Sequence, residues 1–88
     1  MERSWQITWV DSALKDFYRL NQPQQARVNK HLKILLQNPF YGSQIKKLHG
    51  ALEGLYRYRV GNLRIVYRIL TAGRTVRIIA FGARGDIY

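Results

Sequence analysis

Cysteine is absent from this 88-residue chain. That absence excludes a disulfide framework, a thiolate nucleophile and thiolate metal ligands, and it allows a cytosolic home. Histidine is nearly as scarce, and His31 and His49 are too few for an ordinary metal cluster, so no metal site is expected. No apolar run approaches the roughly 20 residues a membrane-spanning helix needs. The opening Met1-Glu2-Arg3-Ser4-Trp5 lacks the apolar stretch of a signal peptide. A cytoplasmic protein with no membrane partner is the expectation. The most informative shortage is of acid. Five Asp and Glu stand against fifteen Lys and Arg, a net charge of +10, and no Asp or Glu occurs between Gly54 and Gly85. Such an excess says little about fold. It points to a polyanionic partner: nucleic acid, an anionic membrane or an acidic protein.

What the chain does contain is enough for one small domain, 1–88, with a hydrophobic share of 47%. Its organising stretch is Leu55 to Leu70. Two runs rich in aromatic and β-branched residues flank Gly61-Asn62, which predicts a β-hairpin closed by a type II′ turn. A two-residue loop sets the register: Val60 opposite Leu63, Arg59 opposite Arg64, Tyr58 opposite Ile65, Arg57 opposite Val66, Tyr56 opposite Tyr67. Alternation then assigns Tyr56, Tyr58, Val60, Leu63, Ile65, Tyr67 and Ile69 to a face that can be buried. The other face carries Arg57, Arg59, Arg64 and Arg68 among Leu55, Val66 and Leu70. Like charges directly opposed across strands are destabilising. An Arg59–Arg64 pair with no carboxylate nearby therefore reads as a polyanion site rather than a solvated face.

Trp5 to Val10 alternates as a half-buried strand, with both tryptophans read as core. Asp11 and Ser12 are helix-capping types, and Ala13, Leu14, Phe17 and Leu20 mark one helix face. Asn21-Gln22-Pro23 breaks this helix and starts a second, in which Val28, Leu32, Leu35 and Leu36 keep the helical period as far as Gln37. His31 reads as a solvated helix residue. Asn38-Pro39 stops the helix. Phe40 to Gly54 is a loop by composition, with a short extended piece at Lys46-Lys47-Leu48; the two lysines are candidate phosphate contacts. Thr75 to Phe81 predicts a third strand beside the hairpin. Its register, with Thr71 to Arg74 as the turn, places Val76, Ile78 and Ala80 on the apolar face and Arg77 beside Arg68. The order is β-α-α-β-β-β: an α+β domain with two N-terminal helices on one face of a small, mainly antiparallel sheet.

Lys46-Lys47-Leu48-His49-Gly50, Gly54-Leu55-Tyr56-Arg57-Tyr58-Arg59-Val60-Gly61, Leu63-Arg64-Ile65-Val66-Tyr67 and Gly82-Ala83-Arg84 ending in Tyr88 together resemble the RelE/ParE toxin superfamily. The likeness extends over the N-terminal strand, the helix pair and Asn38-Pro39. It implies a RelE-like fold and the toxin of a type II toxin–antitoxin pair. The Arg84–Tyr88 ending looks more like the RelE branch, whose members are metal-independent endoribonucleases, many acting on mRNA in the ribosome. The ParE branch poisons DNA gyrase instead. In the RelE branch, residues matching Arg57, Arg59, Arg64 and Arg84 surround the scissile phosphate and one matching Tyr88 stacks on a base. The implied partners are mRNA, the ribosome and a RelB-like antitoxin with an acidic segment; no cofactor is implied. Lys46, Lys47, Arg68 and Arg77 are the further RNA-binding candidates. Arg57 stands where some members carry lysine, and Ala83 where His or Lys is frequent. Arginine stays protonated, so the resemblance leaves the general base unassigned. A basic, aromatic-bearing domain could also bind RNA without cutting it.

Overall fold

The computed structural model describes residues 5–83. Its elements are β1 (Gln6–Trp9), α1 (Asp11–Tyr18), α2 (Gln22–Leu35), β2 (Ile45–Lys47), β3 (Leu55–Val60), β4 (Leu63–Leu70) and β5 (Thr75–Ala83), with short 3-10 turns at Gly50–Leu52 and Thr71–Gly73. The five strands form one sheet in the order β1-β5-β4-β3-β2. β1 runs parallel to β5; every other pairing is antiparallel. The α+β architecture expected from the sequence is the observed one, with a fifth strand: the extended piece expected inside the 40–54 loop pairs with β3 as β2.

The hairpin adopts the predicted register at all five positions from Val60–Leu63 to Tyr56–Tyr67. Gly61 has φ 62°, while Arg74 is the only non-glycine with positive φ among the described residues. Asn62 is thus outside the left-handed region, which fits type II′ and not type I′. Glycine serves here twice over. A Cβ on Gly61 would also sit 3.0 Å from Nη1 of Arg27, which α2 lays across the hairpin tip.

Both helices pack on one face of the sheet. Ala13 and Phe17 of α1 and Val28, Leu32 and Leu35 of α2 meet Tyr58, Val60, Leu63, Ile65, Tyr67, Val76, Ile78 and Phe81 in a single core. Each fully buried aliphatic there is worth about 1.5–3 kcal/mol of transfer free energy. Phe81 belongs to this core and Ala80 does not, contrary to the alternation expected for β5. Tyr67 pairs with Ile78, but Val66 pairs with Ala80, so Ile79 is an extra residue on β5. That β-bulge reverses the facing of everything after it. Phe81 turns inward against Trp9 and Phe17, with ring centroids 6.4 and 6.3 Å away.

Helix starts differ from expectation at one end and match at the other. Val10, not Asp11 or Ser12, is the N-cap of α1, and no side chain caps it. The amide of Val10 still donates to the Ile78 carbonyl at 3.0 Å. Sheet pairing therefore holds the chain extended up to the first helical residue and leaves no room for a capping residue. Asp11 instead lies in the first turn, where its charge suits the helix dipole. α2 has the full capping box: the Asn21 side chain accepts from the Gln24 amide at 2.9 Å, and the Asn21 amide donates to Oε1 of Gln24 at 3.3 Å. α1 ends at Tyr18 and α2 at Leu35, each two residues earlier than the apolar spacing implied. The buried Pro39 follows, pinned by Tyr67, whose hydroxyl donates to the Pro39 carbonyl at 2.7 Å.

Candidate nucleic-acid interface on the open sheet face

The face opposite the helices carries the arginines, and the register fixes their layout. Beside the hairpin turn, one row runs Gly82, Arg64, Arg59 across β5, β4 and β3. The next row runs Ala80, Val66, Arg57, Lys46 and reaches β2. The third runs Thr8, Arg77, Arg68, Leu55, starting at β1. Five arginines and one lysine thus share a surface held by the sheet itself. Among the described residues no helix packs on this side of the core.

Arg59 and Arg64 are the closest pair. The Arg59 amide donates outward to the Gln44 carbonyl at 3.0 Å, so Arg59 and Arg64 form a non-hydrogen-bonded pair across the ladder. Cα atoms in such pairs lie about 4.5 Å apart, with side chains close together. Two guanidiniums there repel unless an anion lies between them. Arg59 is exposed and Arg64 half-buried. The Nε of Arg64 is buried with no hydrogen-bond partner, an arrangement that costs stability by itself. The ion pair found among the described residues is on α1, Arg19 with Asp16 at 3.6 Å, far from this face in the chain. Val66, between the arginine rows, is only 3% exposed, so the floor of the cluster is apolar and firm.

The other sequence candidates divide. Arg68 and Arg77 face each other in the third row, as expected. Arg77 leans toward the sheet edge, its Nη1 donating to Oγ1 of Thr8 at 3.4 Å. Lys46 joins the arginines, directly opposite Arg57. Lys47 does not: alternation puts it on the other side of β2, opposite Tyr56. Arg84 and Tyr88 lie outside the described residues.

His31 is not the solvated residue expected. Its Nδ1 lies 3.0 Å from the Tyr58 hydroxyl and it is half-buried. Burial raises the Tyr58 pKa above its ordinary value, so the phenol stays protonated beside the imidazole. Helical spacing alone placed His31 beside the basic side of α2; the contact depends on where β3 lies. Trp5 and Trp9 pack as core expectations require. Trp9 lies 5.3 Å from Phe17, and Trp5 meets Phe40 edge-on at 5.7 Å while the Arg74 guanidinium sits 4.8 Å from its ring centre. Arg27, on the basic side of α2, reaches the Gly61 turn, an approach that helical spacing alone does not signal.

The family model for the ParE toxin of the type II toxin–antitoxin system, parDE, matches residues 7–88. The chain belongs to the ParE toxin family. Its fold is that of the RelE-like toxins. The toxin–antitoxin complex RelBE2 from Mycobacterium tuberculosis superposes with a TM-score of 0.82 at 25% identity, covering 93% of this chain and all (100%) of that one. The archaeal RelE–RelB complex from Pyrococcus horikoshii OT3 gives 0.78 at 22% identity, over 96% of this toxin and 99% of that chain. The isolated E. coli RelE toxin gives 0.76 at 23%, over 96% and 90%. No curated protein sequence matches this toxin. Among the described residues no helix is long and apolar enough to cross a membrane.

Proposed function

We propose that this toxin is a metal-independent endoribonuclease that cuts mRNA at the ribosome. The observation that supports it best is the Arg59–Arg64 pair, two guanidiniums set side by side on a rigid sheet with no carboxylate between them. In this reading a 2′-hydroxyl of the RNA attacks the adjacent phosphorus, the P–O bond to the 5′-oxygen breaks, and a cyclic 2′,3′-phosphate forms. Negative charge collects on the pentacoordinate phosphorus in passing. Arg59, Arg64 and Arg57 stabilise that charge, and guanidinium forks match phosphate oxygens in pairs. Arg84 and Tyr88 complete the site from beyond the described residues, the one on the phosphate, the other on a base. The reaction also has to remove the 2′-hydroxyl proton and deliver one to the 5′-oxygen. Arg57 is unsuited to the first task because it does not deprotonate. Lys46, opposite Arg57 on the same face, adds a further cation for the phosphate. Arg68 and Arg77 hold the strand further along.

A RelB-like antitoxin would silence the toxin by laying an acidic segment over the same face, since one surface then serves both partners. The structurally similar chains from RelBE2 and from the archaeal pair are both seen in complexes with an antitoxin. Both partners would be met in the cytoplasm.

A second reading has a specific observation in its favour. The matching family model is that of ParE, the branch that resemblance links to DNA gyrase, and Ala83 stands where RNA-cutting relatives often carry His or Lys. One experiment separates the two. The purified toxin is incubated with programmed ribosomes and the RNA ends are mapped; in parallel it is incubated with gyrase and supercoiled DNA. Cuts within A-site codons support the RNase. Intact mRNA together with trapped gyrase–DNA complexes replaces it with the gyrase reading.

A further inference from the structure

Lys46 and Lys47 are neighbours on the outer strand, yet they serve opposite faces of the sheet. Lys47 lines a cavity of about 280 Å3, together with Phe40, Tyr41, Gly42, Ile45 and Tyr56. Half of this lining is aromatic. Two of its rings are held firmly: Tyr56 stacks on Tyr67 with centroids 5.5 Å apart and 17° between planes, and meets Phe40 edge-on at 6.4 Å. The third is not. Tyr41 is 79% exposed and touches no other ring among the described residues. Gly42 keeps the mouth open, because a Cβ there would come within 3.3 Å of Cδ1 of Ile45. Aromatic faces and a lysine around a small recess, one strand away from a phosphate-binding cluster, match the chemistry of single-stranded nucleic-acid sites.

We propose that this cavity is a base-binding subsite. One unstacked base of an RNA strand enters it and stacks on Tyr41, Lys47 takes the phosphate beside that base, and the backbone crosses the β2 edge from the Lys46–Arg57 row. The proposal rests on the nucleic-acid reading of the open face and extends the binding path beyond it. The volume is at the small end for ligand pockets, which suits a single base and excludes a longer stretch. Stacking accepts every base, so the subsite adds affinity at one position and a preference for purines, whose larger ring system overlaps more. It carries no base-edge code.

The test uses a short single-stranded RNA made uncleavable by a 2′-deoxy residue at the cut position, with an abasic residue stepped along it. One abasic position should weaken binding to the wild-type chain about ten-fold, the effect of losing one good stack. Tyr41→Ala should weaken the intact RNA by the same factor and show no further loss with that abasic RNA. Lys47→Gln should lower the salt slope without creating sensitivity to any base. Tyr41→Ala and Lys47→Gln are checked for an unchanged melting temperature, and Tyr41→Phe should bind like wild type. If Tyr41→Ala binds every RNA as wild type does, or loses equally with every abasic position, the subsite is overturned. It is equally overturned if Tyr41→Ala weakens only an acidic peptide. Arg59→Gln keeps the outcomes apart. RNA binding that depends on Arg59 but not on Tyr41 removes the subsite and leaves the nucleic-acid reading standing. No RNA binding by the wild-type chain overturns the subsite, while mapping RNA ends on programmed ribosomes decides the nuclease reading separately.

Discussion

Arg64 is held where an unliganded protein gains nothing from it. It faces Arg59 across the ladder, and its Nε is buried without a partner. Replacing either residue by Gln removes the repulsion and keeps a similar stem. Arg59→Gln and Arg64→Gln should therefore melt at or above the wild-type temperature while single-turnover RNA cleavage falls by about 10²–10³ fold, the usual loss when one transition-state donor is removed. Full cleavage in both variants would take them out of the site. Tyr67 makes a different case at this scale. Burial first, and then the neighbouring Tyr56 and Tyr58, push its pKa far above the ordinary 10. Its neutral form is the one the fold holds, so the stability it supplies is complete below pH 10 and is lost as pH rises toward the folded pKa. Melting temperature should fall above pH 10, and Tyr67→Phe should flatten that fall at the cost of the bond to Pro39.

Among the elements, β5 is the one whose detail decides the core. A regular nine-residue strand would send Phe81 to the arginine face and Ala80 inward. The extra residue, Ile79, prevents this and lets Phe81 close the aromatic cluster with Trp9 and Phe17. Deleting Ile79 should leave Tyr67–Ile78, Val66–Ala80 and Ile65–Phe81 as a regular ladder, so Phe81 stays inward. Phe81→Ala, by contrast, should cost about 3–5 kcal/mol, that of emptying a phenylalanine site. Chemical denaturation of both variants measures the difference; a deletion as costly as Phe81→Ala would mean that the bulge itself, and not the facing of Phe81, holds the strand. The hairpin depends on its turn in the same direct way. With Gly61 at φ 62° and Arg27 lying across it, any side chain there meets both backbone strain and a guanidinium.

Taken as a whole, the molecule presents its helices on one side of the sheet and a cluster of five arginines and Lys46 on the other, under a net charge of +10. Long-range attraction then favours any polyanion before a specific contact forms. Binding to single-stranded RNA should fall linearly on a log–log salt plot, with a slope of about −0.7 per phosphate contact. Each of Arg59→Gln and Arg68→Gln should lower the slope by about one such contact. A flat response would mean the open face is not the docking surface. Association with an acidic antitoxin segment should share the salt sensitivity, chiefly through its on-rate.

Short-range rules were legible along the chain itself. The Gly61-Asn62 turn, the register of the hairpin, the two faces of β3 and β4 and the capping box of α2 follow from residues within a few positions of one another. Steric and hydrogen-bonding preferences at that range leave one choice. The cation cluster followed from the same alternation, and so did the pairing of Arg68 with Arg77 once the loop length was right. What the tertiary structure decided depends on contacts between distant segments. The parallel docking of β1 on β5 placed Val10 in the ladder and displaced the expected cap of α1. Packing of Phe81 against Trp9 and Phe17 accompanies a bulge that no local pattern announces. Which of Lys46 and Lys47 joins the arginines, and the half-burial of His31 against Tyr58, required the position of β3 relative to β2 and α2. Periodicity assigns a residue to a side of its own element; only the packing of one element on another determines what lies on that side.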